Sequence, residues 1–227
     1  MSPESVTVVE KIMDANDQVA MLNQKQLDEA GVFAINIMAS PGSGKTSTIL
    51  RTIEALAPEV RIVVIEGDTA PVTIDSDKVQ AAGIPAVQIN TGGNCHLDAP
   101  MLSRGLEQIN LKDFDLLIIE NVGNLICPAS FKLGSHANIV VASIPEGDDK
   151  PYKYPKIYRG LEVMIINKID LLPYVDFNMD YFRQGAQMLN EELVFFPISC
   201  KTGEGVAEWA HWLKNRIKQQ KELAARQ

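Results

Sequence analysis

The sequence predicts an α/β fold in which a mostly parallel, seven-stranded sheet carries helices on both faces. The first observation is a set of seven short runs rich in Val, Ile and Leu, of which the first, residues 32–39, is a nearly continuous apolar run. Such runs are typical of strands that are buried on both faces of a sheet. The second observation is that these runs alternate with segments of helical periodicity. This alternation predicts right-handed βαβ units and a three-layer arrangement.

The first predicted elements are a helix over residues 4–30 and a strand over residues 32–39, separated by the helix-ending Gly31. The helix is predicted from its apolar positions, which are Val8, Ile12, Val19 and Leu22. We expect residues 1–31 to form an N-terminal helical extension to one domain that spans residues 1–227. A helix over residues 43–57 follows the first strand.

The remaining elements continue the alternation to the end of the chain. The further predicted strands are residues 61–67, 86–90, 115–121, 138–144, 161–168 and 192–199. The further predicted helices are residues 75–83, residues 97–109 and a last helix from about Val206 to the end. Ligands of such sheets bind at the carboxyl ends of the strands, so the loops that follow the strands are where we look for function.

Composition narrows the class of protein. The net charge of −8, with scattered Lys and Arg, disfavours a nucleic-acid partner, which requires clustered basic residues. No apolar run approaches the roughly 20 residues that cross a bilayer, and the N-terminus lacks the order of a signal peptide, so we expect a cytoplasmic protein without membrane contact. The three cysteines form no secreted-type disulfide framework.

The string ASPGSGKT, residues 39–46, follows the first buried strand and opens a helix, which is the context of a phosphate loop. Its glycines allow backbone N–H groups to face a phosphate at the positive end of the helix dipole. Lys45 is predicted to reach the β- and γ-phosphates, and Thr46 to ligate Mg²⁺. Ala39 stands where the pattern has its first glycine. The predicted nucleotide contacts of this loop are Pro41, Gly42, Ser43, Gly44, Lys45, Thr46 and Ser47.

Two later strings indicate that the nucleotide is a guanine nucleotide. In NKID, residues 167–170, the carboxylate of Asp170 can accept from the two adjacent donors of guanine, whereas adenine would leave it unpaired. Asn167 is expected to bond the base or to hold neighbouring loops, and the Lys168 stem to lie along the ring. The string SCKTGEG, residues 199–205, is typical of the loop that closes over guanine. Its matching residues are Ser199, Cys200 and Lys201, with the Cys200 side chain interpreted as a small loop filler.

Oxygen ligands for Mg²⁺ beyond Thr46 are expected from acids near the strand ends. Glu120 stands at the end of a strand, where a Walker-B acid is found, and Asp68 follows another strand. Asp75 could reach the metal or could cap the next helix. The string VGN after Glu120 resembles a loop that senses the γ-phosphate, with Gly123 donating its amide. The predicted catalytic set is Lys45, Thr46, Glu120 and Gly123.

No glutamine, histidine or arginine stands in an obvious catalytic place, so slow intrinsic hydrolysis is expected. Lys150 and Lys153 could bring positive charge to a nucleotide across a dimer interface, or could belong to an exposed loop.

Cys95, His96 and Cys127 lie in two loops that both leave the carboxyl edge of the predicted sheet. Thiolate and imidazole suit Zn²⁺, Ni²⁺ or Cu, but three ligands do not close a tetrahedral site, so a dimer could complete it. A catalytic Cys–His pair and purely structural cysteines are the alternatives. We predict a metal site, because all three residues converge beside the nucleotide.

The phosphate loop followed by GNCHLDAP, IENVGNLICPASFKLG, EGDD and NKIDLL resembles HypB, the GTPase family of nickel insertion during nickel–iron hydrogenase maturation. The resemblance runs from about Val32 through Gly205. It implies a dimer in the GTP state that carries nickel, or zinc in its place, at Cys95, His96 and Cys127. It also implies two partners, a small zinc-containing maturation protein and the hydrogenase large subunit. The first cysteine is Cys95, so the N-terminal cysteine-rich or histidine-rich nickel motif of some members has no counterpart here.

The sequence therefore predicts a GTP-hydrolysing metallochaperone whose nucleotide and Mg²⁺ state switches dimerisation and metal transfer. Two alternatives stay open. One is a related accessory GTPase for urease or for a cobalamin enzyme, and the other is a nucleotide-gated interaction module with structural cysteines.

Overall fold

The computed structural model of the chain describes residues 8–69 and 79–226, with side chains from residue 12 onward in the first range. Its strands are β1 Phe33–Ala39, β2 Ile62–Asp68, β3 Ala86–Asn90, β4 Leu116–Glu120, β5 Ala137–Ser143, β6 Val163–Asn167 and β7 Val194–Pro197. Its helices are α1 Val8–Ala30, α2 Lys45–Leu56, α3 Ala99–Leu106, α4 Lys150–Lys153, α5 Pro155–Tyr158, α6 Met179–Gln187 and α7 Val206–Ala224. Residues 79–81 form a further helical turn.

All seven predicted strands join one sheet, in the order β3-β2-β4-β1-β5-β6-β7. Every pairing between neighbours in this sheet is parallel, which confirms the predicted architecture. The order runs outward from β1 in both directions, so the loops after β1, β2 and β4 leave the sheet side by side. Ligand sites of parallel sheets form at this kind of position.

Both faces of the sheet are covered, because alternate side chains of each strand point to opposite faces. Phe33, Ile35 and Ile37 of β1 pack in a core cluster with side chains of α2 and α7. Ala34 faces the other way, in a cluster with Leu27 of α1 and residues of α3. A third cluster packs α5 and α6 against β5 and β6.

The buried face of α1 differs from the predicted one. Ile12 and Leu22, two of the four predicted apolar positions, are 53% and 61% exposed. The buried positions are instead Asn16, Ala20, Asn23 and Leu27, which recur at the spacing of one helix face. The predicted helix itself is confirmed, but the apolar positions that predicted it do not make up its buried face, two of whose four members are asparagines.

The observed ends of several elements differ from the predicted ends by a few residues. The predicted helix over residues 97–109 begins only at Ala99, because the Asp98 carboxylate caps it by accepting from Met101 N at 2.8 Å. The predicted helix over residues 75–83 lies only partly within the described residues. None of the described helices is both long enough and apolar enough to span a membrane.

Candidate nucleotide and metal site

The phosphate loop takes the backbone path that its glycines allow. Gly42 and Gly44 have φ values of 80° and 97°, in the left-handed region where side chains are disfavoured. A Cβ added at Gly44 would lie 2.3 Å from Asn167 Nδ2, so the loop also needs glycine there for space. Helix α2 begins directly afterwards at Lys45, and the N–H groups of its first turn face the cavity above it.

That cavity has a volume of about 320 Å³. It is lined by Ser40, Pro41, Gly42, Gly44, Lys45, Thr46, Ser47, Glu66, Gly67, Asp68 and Gly123. It therefore brings the predicted phosphate-loop residues together with Asp68 and Gly123. Ser43 is fully buried below it, where its carbonyl accepts from Asn167 Nδ2 at 3.0 Å.

Lys45 and Thr46 both point toward the end of β4. Thr46 Oγ1 donates to Glu120 Oε1 at 2.9 Å, and Lys45 Nζ lies 3.3 Å from the same oxygen. Lys45 Nζ also donates to the carbonyl of Asn121. Glu120 is only 1% exposed, so it supports these two side chains from behind the cavity.

A second carboxylate stands beside Glu120. Glu66 of β2 is its partner in the strand register, is 3% exposed and lines the cavity. Sequence reasoning missed Glu66, because only the register of β2 with β4 shows that it lies beside Glu120. The donor set of Thr46, Glu66, Asp68 and Glu120 consists of oxygens, which suits Mg²⁺. Asp75, the other predicted ligand, lies outside the described residues.

At the base-recognition end, Asn167 holds loops together. Its Oδ1 accepts from Lys168 N at 2.7 Å and from Cys200 N at 3.2 Å, and its Nδ2 donates to the carbonyl of Ser43. Of the two predicted roles for Asn167, the structure shows the loop-holding one. Lys168 has a φ of 64° and donates through Nζ to Gly42 O at 2.7 Å, so it lies across the phosphate loop.

Asp170 is half-buried, and the Ser199 hydroxyl donates to its Oδ1 at 2.7 Å. The neighbouring Cys200 packs against Thr48, with 3.5 Å between Sγ and Oγ1. Burial raises the pKa of the Cys200 thiol, which agrees with its interpretation as a loop filler. Lys201 is exposed, and Arg51, which the sequence did not single out, donates to the carbonyls of both residues 200 and 201.

The predicted metal ligands converge as well. Ligand atoms of Cys95, His96 and Cys127 all lie within 4.8 Å of one another, and Cys95 Sγ is 3.9 Å from His96 Nδ1. The His96 ring stacks on Phe131, with ring centroids 3.9 Å apart and an interplanar angle of 20°. Asn124 Nδ2 donates to the carbonyl of Cys95 at 3.4 Å, joining the two loops directly.

The protonation of these groups follows from their surroundings. Burial lowers the pKa of His96, so its ring is neutral at pH 7 and one nitrogen can donate a lone pair. A hydrogen bond with Cys95, and then burial, raise the pKa of Cys127. Thiols act as metal ligands in the deprotonated form, so binding of a metal at these candidate ligands would be linked to proton release.

Comparison with known proteins assigns the family. The model of the CobW/HypB/UreG nucleotide-binding domain matches residues 33–197. The chain is 44% identical over 215 residues to the hydrogenase maturation factor HypB of Rhizobium leguminosarum bv. viciae, covering 94% of this chain and 72% of that protein. The chain belongs to the HypB family.

Two solved HypB structures agree with this assignment. HypB from Archaeoglobus fulgidus superposes with a TM-score of 0.83 at 40% identity, covering 90% of this chain and 99% of that one. HypB from Helicobacter pylori, solved in complex with nickel, has a TM-score of 0.86 at 34% identity, covering 90% and 96%. The match to the CobW/HypB/UreG nucleotide-binding domain begins at β1 and ends with β7, so helices α1 and α7 lie outside that domain match.

In this HypB-family chain, Asn121 connects the phosphate cavity with the loop of Cys95 and His96, which we call the metal loop after these candidate ligands. It is fully buried, and its carbonyl accepts from Lys45 while its side chain faces the metal loop. Its Oδ1 accepts from Leu97 N at 3.0 Å and from Val122 N at 2.9 Å. Leu97 is the residue directly after His96, so two bonding steps separate the phosphate-loop lysine from the metal-loop backbone. No feature of the sequence indicates this role, because an asparagine at the end of a strand is compatible with many contacts.

The two lysines predicted to act across a dimer lie apart from the phosphate cavity. Lys150 lines a neighbouring cavity of about 310 Å³, together with Pro41, Gly123 and Tyr154. Lys153 pairs with Asp149, and this hydrogen bond raises the pKa of Lys153. The described residues therefore give Lys153 a partner within its own chain, and a role toward a second chain stays a prediction.

Proposed function

We propose that this chain is a GTP-hydrolysing metallochaperone that binds nickel and assists its insertion into nickel–iron hydrogenase. The observation that carries the proposal is the continuous contact from Lys45 through Asn121 to the loop of Cys95 and His96. Family membership supports the maturation role, and the H. pylori relative is a nickel complex. Zinc suits the same thiol and imidazole donors, so it can substitute for nickel.

The nucleotide is GTP, bound at its phosphates by the cavity of the phosphate loop and at its base by the 167–170 and 199–201 segments. Asp170 accepts from guanine, while the Ser199 hydroxyl donates to the Asp170 carboxylate and holds it in place. Asn167 keeps the two segments and the phosphate loop in register, and the Cys200 amide and Lys201 close the base site. Lys168 covers the loop between base and phosphates.

Hydrolysis uses positioning and charge rather than a dedicated base. Thr46, with Asp68, Glu120 or Asp75, would hold Mg²⁺, which would supply charge neutralisation at the phosphate oxygens. Lys45 stabilises the transferring phosphoryl group, and the Gly123 amide faces it across the cavity. The described lining of this cavity contains no glutamine, histidine or arginine to orient water, so we propose slow intrinsic turnover.

Nickel is the cargo, held by Cys95, His96 and Cys127. Three ligands leave the coordination incomplete, and a second set from a dimer partner would complete it. We propose that GTP favours the homodimer, with Lys150 and Lys153 contributing charge at the interface. The exposure of Cys95 suits a site that gives its metal away.

The switch begins at Lys45, which contacts both Glu120 and Asn121 at the end of β4. A γ-phosphate competes for this ammonium group and weakens its hold on the Asn121 carbonyl. Asn121 then shifts, and with it the two amides that its side chain holds, Leu97 N and Val122 N. One of these amides follows His96 and the other leads to Cys127, so the ligand spacing changes.

The proteins proposed to receive the nickel are inferred from the family and not from a surface of the chain. We propose a small zinc-containing maturation protein and the hydrogenase large subunit as partners, with no nucleic acid and no membrane. The chain is then a single cytoplasmic GTPase domain over residues 1–227 with an N-terminal helical extension.

The proposal is tested by titrating Ni²⁺ into the protein with GDP, with a non-hydrolysable GTP analogue and without nucleotide. We expect the dissociation constants with GDP and with the analogue to differ by about 5- to 150-fold, the range of ordinary allosteric coupling. The variants Cys95→Ala and Cys127→Ala should lose tight Ni²⁺ binding while keeping GDP affinity. Cys200→Ala is the matched control and should keep both. Equal Ni²⁺ affinity in all nucleotide states would refute the switch, and unchanged binding in both ligand variants would refute the site.

A further inference from the structure

Two asparagines on the buried face of α1 make all of their described tertiary bonds to the backbone of two loops. Asn16 and Asn23 lie seven residues apart on one face of the helix and are 4% and 1% exposed. Asn16 Oδ1 accepts from Ala99 N at 2.9 Å, and Asn16 Nδ2 donates to Lys132 O at 2.9 Å. Asn23 Nδ2 donates to Ala99 O at 2.9 Å and to Leu133 O at 3.1 Å.

These four bonds connect the first residue of α3, where the loop of Cys95 and His96 ends, to the loop that carries Cys127. Ala99 comes three residues after His96, and both its N–H and its carbonyl are held by α1. Residues 132 and 133 come five and six residues after Cys127. Each asparagine bonds to both loops, so α1 fixes the distance between them rather than merely covering them.

The loop held at residue 132 also contains the ring that contacts His96. Phe131 stacks on the His96 imidazole and immediately precedes Lys132, whose carbonyl is the acceptor of Asn16. At residue 134, the backbone approaches α1 so closely that a Cβ on Gly134 would lie 2.3 Å from Ala20 O. The position of this loop along α1 is therefore tightly set.

An apolar helix face would bury as much surface without fixing this position. Buried asparagines specify register, because displacement of the helix would leave their amides and the backbone groups they serve without partners. The four bonds of Asn16 and Asn23 are distributed so that a shift of either loop along α1 breaks bonds.

We propose that Asn16 and Asn23 are positioning residues for the metal site, which set the spacing of Cys127 from Cys95 and His96 through the backbone at residues 99, 132 and 133. This inference rests on the proposed metal-binding function. It gives the N-terminal helix, which lies outside the family-matched range, a direct part in that function. A force or partner that moves α1 changes the ligand spacing without touching a ligand.

The experiment compares the double variant Asn16→Ala, Asn23→Ala with wild type and with Asp28→Ala. Asp28 is the matched control, because it also anchors α1, through His136 directly before β5 and Gln220 of α7, but makes no bond to residues 99, 132 or 133. The first readout is Ni²⁺ affinity and the sulfur-to-nickel charge-transfer absorption. We expect the double variant to bind Ni²⁺ about 10- to 100-fold more weakly, as for the loss of groups that orient metal ligands. Asp28→Ala should stay within about twofold of wild type, and GDP affinity should stay unchanged in both variants.

The second readout needs no metal. Diamide joins two thiols into a disulfide and is itself reduced to the hydrazine, and the Cys95–Cys127 product is identified by mass spectrometry. Because the rate reflects how often the two sulfurs meet, we expect the double variant to form this disulfide at least about tenfold more slowly than Asp28→Ala. The disulfide rates of the single variants Asn16→Ala and Asn23→Ala should lie between those of the double variant and Asp28→Ala. These single variants provide the test if the double variant unfolds.

Wild-type disulfide rates and Ni²⁺ affinity in folded asparagine variants would overturn the positioning role. A slower disulfide in a protein whose wild-type form binds no Ni²⁺ would instead uphold the positioning of the thiols and refute the proposed metal function. The two failures are therefore distinguishable.

Discussion

Replacing Asn121 with alanine should uncouple the nucleotide from the metal. The substitution removes the side chain that accepts from Leu97 N and Val122 N and donates to Asn36 Oδ1 at 3.1 Å. The backbone carbonyl that Lys45 contacts stays in place. The phosphate loop should therefore keep its own contacts, while the backbone that follows His96 loses its connection to them.

The cost in stability follows from the buried amides. Two backbone N–H groups lose their acceptor in a fully buried position, at about 1–3 kcal/mol for each one that stays unsatisfied. We expect the free energy of unfolding to fall by several kcal/mol, measured by urea denaturation. The coupling, expressed as the ratio of the Ni²⁺ dissociation constants with GDP and with a GTP analogue, should fall from about 5- to 150-fold to near one.

The control is Asn36→Ala, which removes a neighbour of Asn121 in the same buried chain of amides. Asn36 accepts from Asn121 Nδ2 and donates to Asn138 Oδ1, so its loss also leaves buried polar groups without partners. It leaves the bonds to Leu97 N and Val122 N intact, and the coupling ratio should survive. A wild-type ratio in folded Asn121→Ala, or an equal loss in both variants, would show that coupling does not pass through this side chain.

Three further predictions concern the base, the phosphate loop and acid stability. Asp170→Asn should weaken GDP binding by at least about hundredfold in calorimetric titration, since two hydrogen bonds to a charged group of about 1.5–3 kcal/mol each are lost; a xanthine nucleotide should bind better than to wild type. Gly44→Ala should abolish GDP binding, because its φ of 97° and the 2.3 Å approach to Asn167 disfavour any Cβ, while circular dichroism stays native. Burial alone would raise the pKa of Asp115, but the Arg61 hydrogen bonds outweigh it and hold that pKa well below its usual range. The stability that this low pKa provides is present above about pH 4, the unfolded value, and is lost on further acidification. The melting temperature of Asp115→Asn should therefore fall less than that of wild type between pH 5 and pH 3. Equal falls in the two proteins would contradict this.

The sheet could be predicted from the sequence because its signal is local. The central strands are mostly apolar runs, and β1, β4, β5 and β6 are buried on both faces, as such runs predict. The phosphate loop is similarly local, since Gly42 and Gly44 set the backbone path within a few residues. The buried face of α1 could not be predicted in this way. Its asparagines are buried because backbone groups at residues 99, 132 and 133 meet them, and those groups lie 76 to 116 residues away in sequence.

The residues of the candidate site also differ in whether the sequence alone identifies them. The sequence identified Cys95, His96 and Cys127, because rare residue types in loops after strands carry a chemical signal. It missed Glu66, whose carboxylate lines the cavity from inside β2, and Phe131, whose ring orients His96. Neither residue type is unusual in its segment, so only the register of β2 with β4 and the path of the loop reveal them.

The sheet order explains why the candidate metal ligands and the phosphate cavity share one contact network. The loop of Cys95 and His96 leaves β3 at the edge of the sheet, whereas Cys127 follows β4, and β2 lies between them. The first loop must therefore cross the carboxyl end of β2, where Asp68 lines the nucleotide cavity. It crosses at Gly67, so closely that a Cβ there would lie 2.5 Å from the Leu97 side chain. The metal loop reaches Cys127 only by passing over the end of β2, which also borders the phosphate cavity. A change in the phosphate cavity and a change in the spacing of the candidate ligands therefore both involve the residues at this strand end.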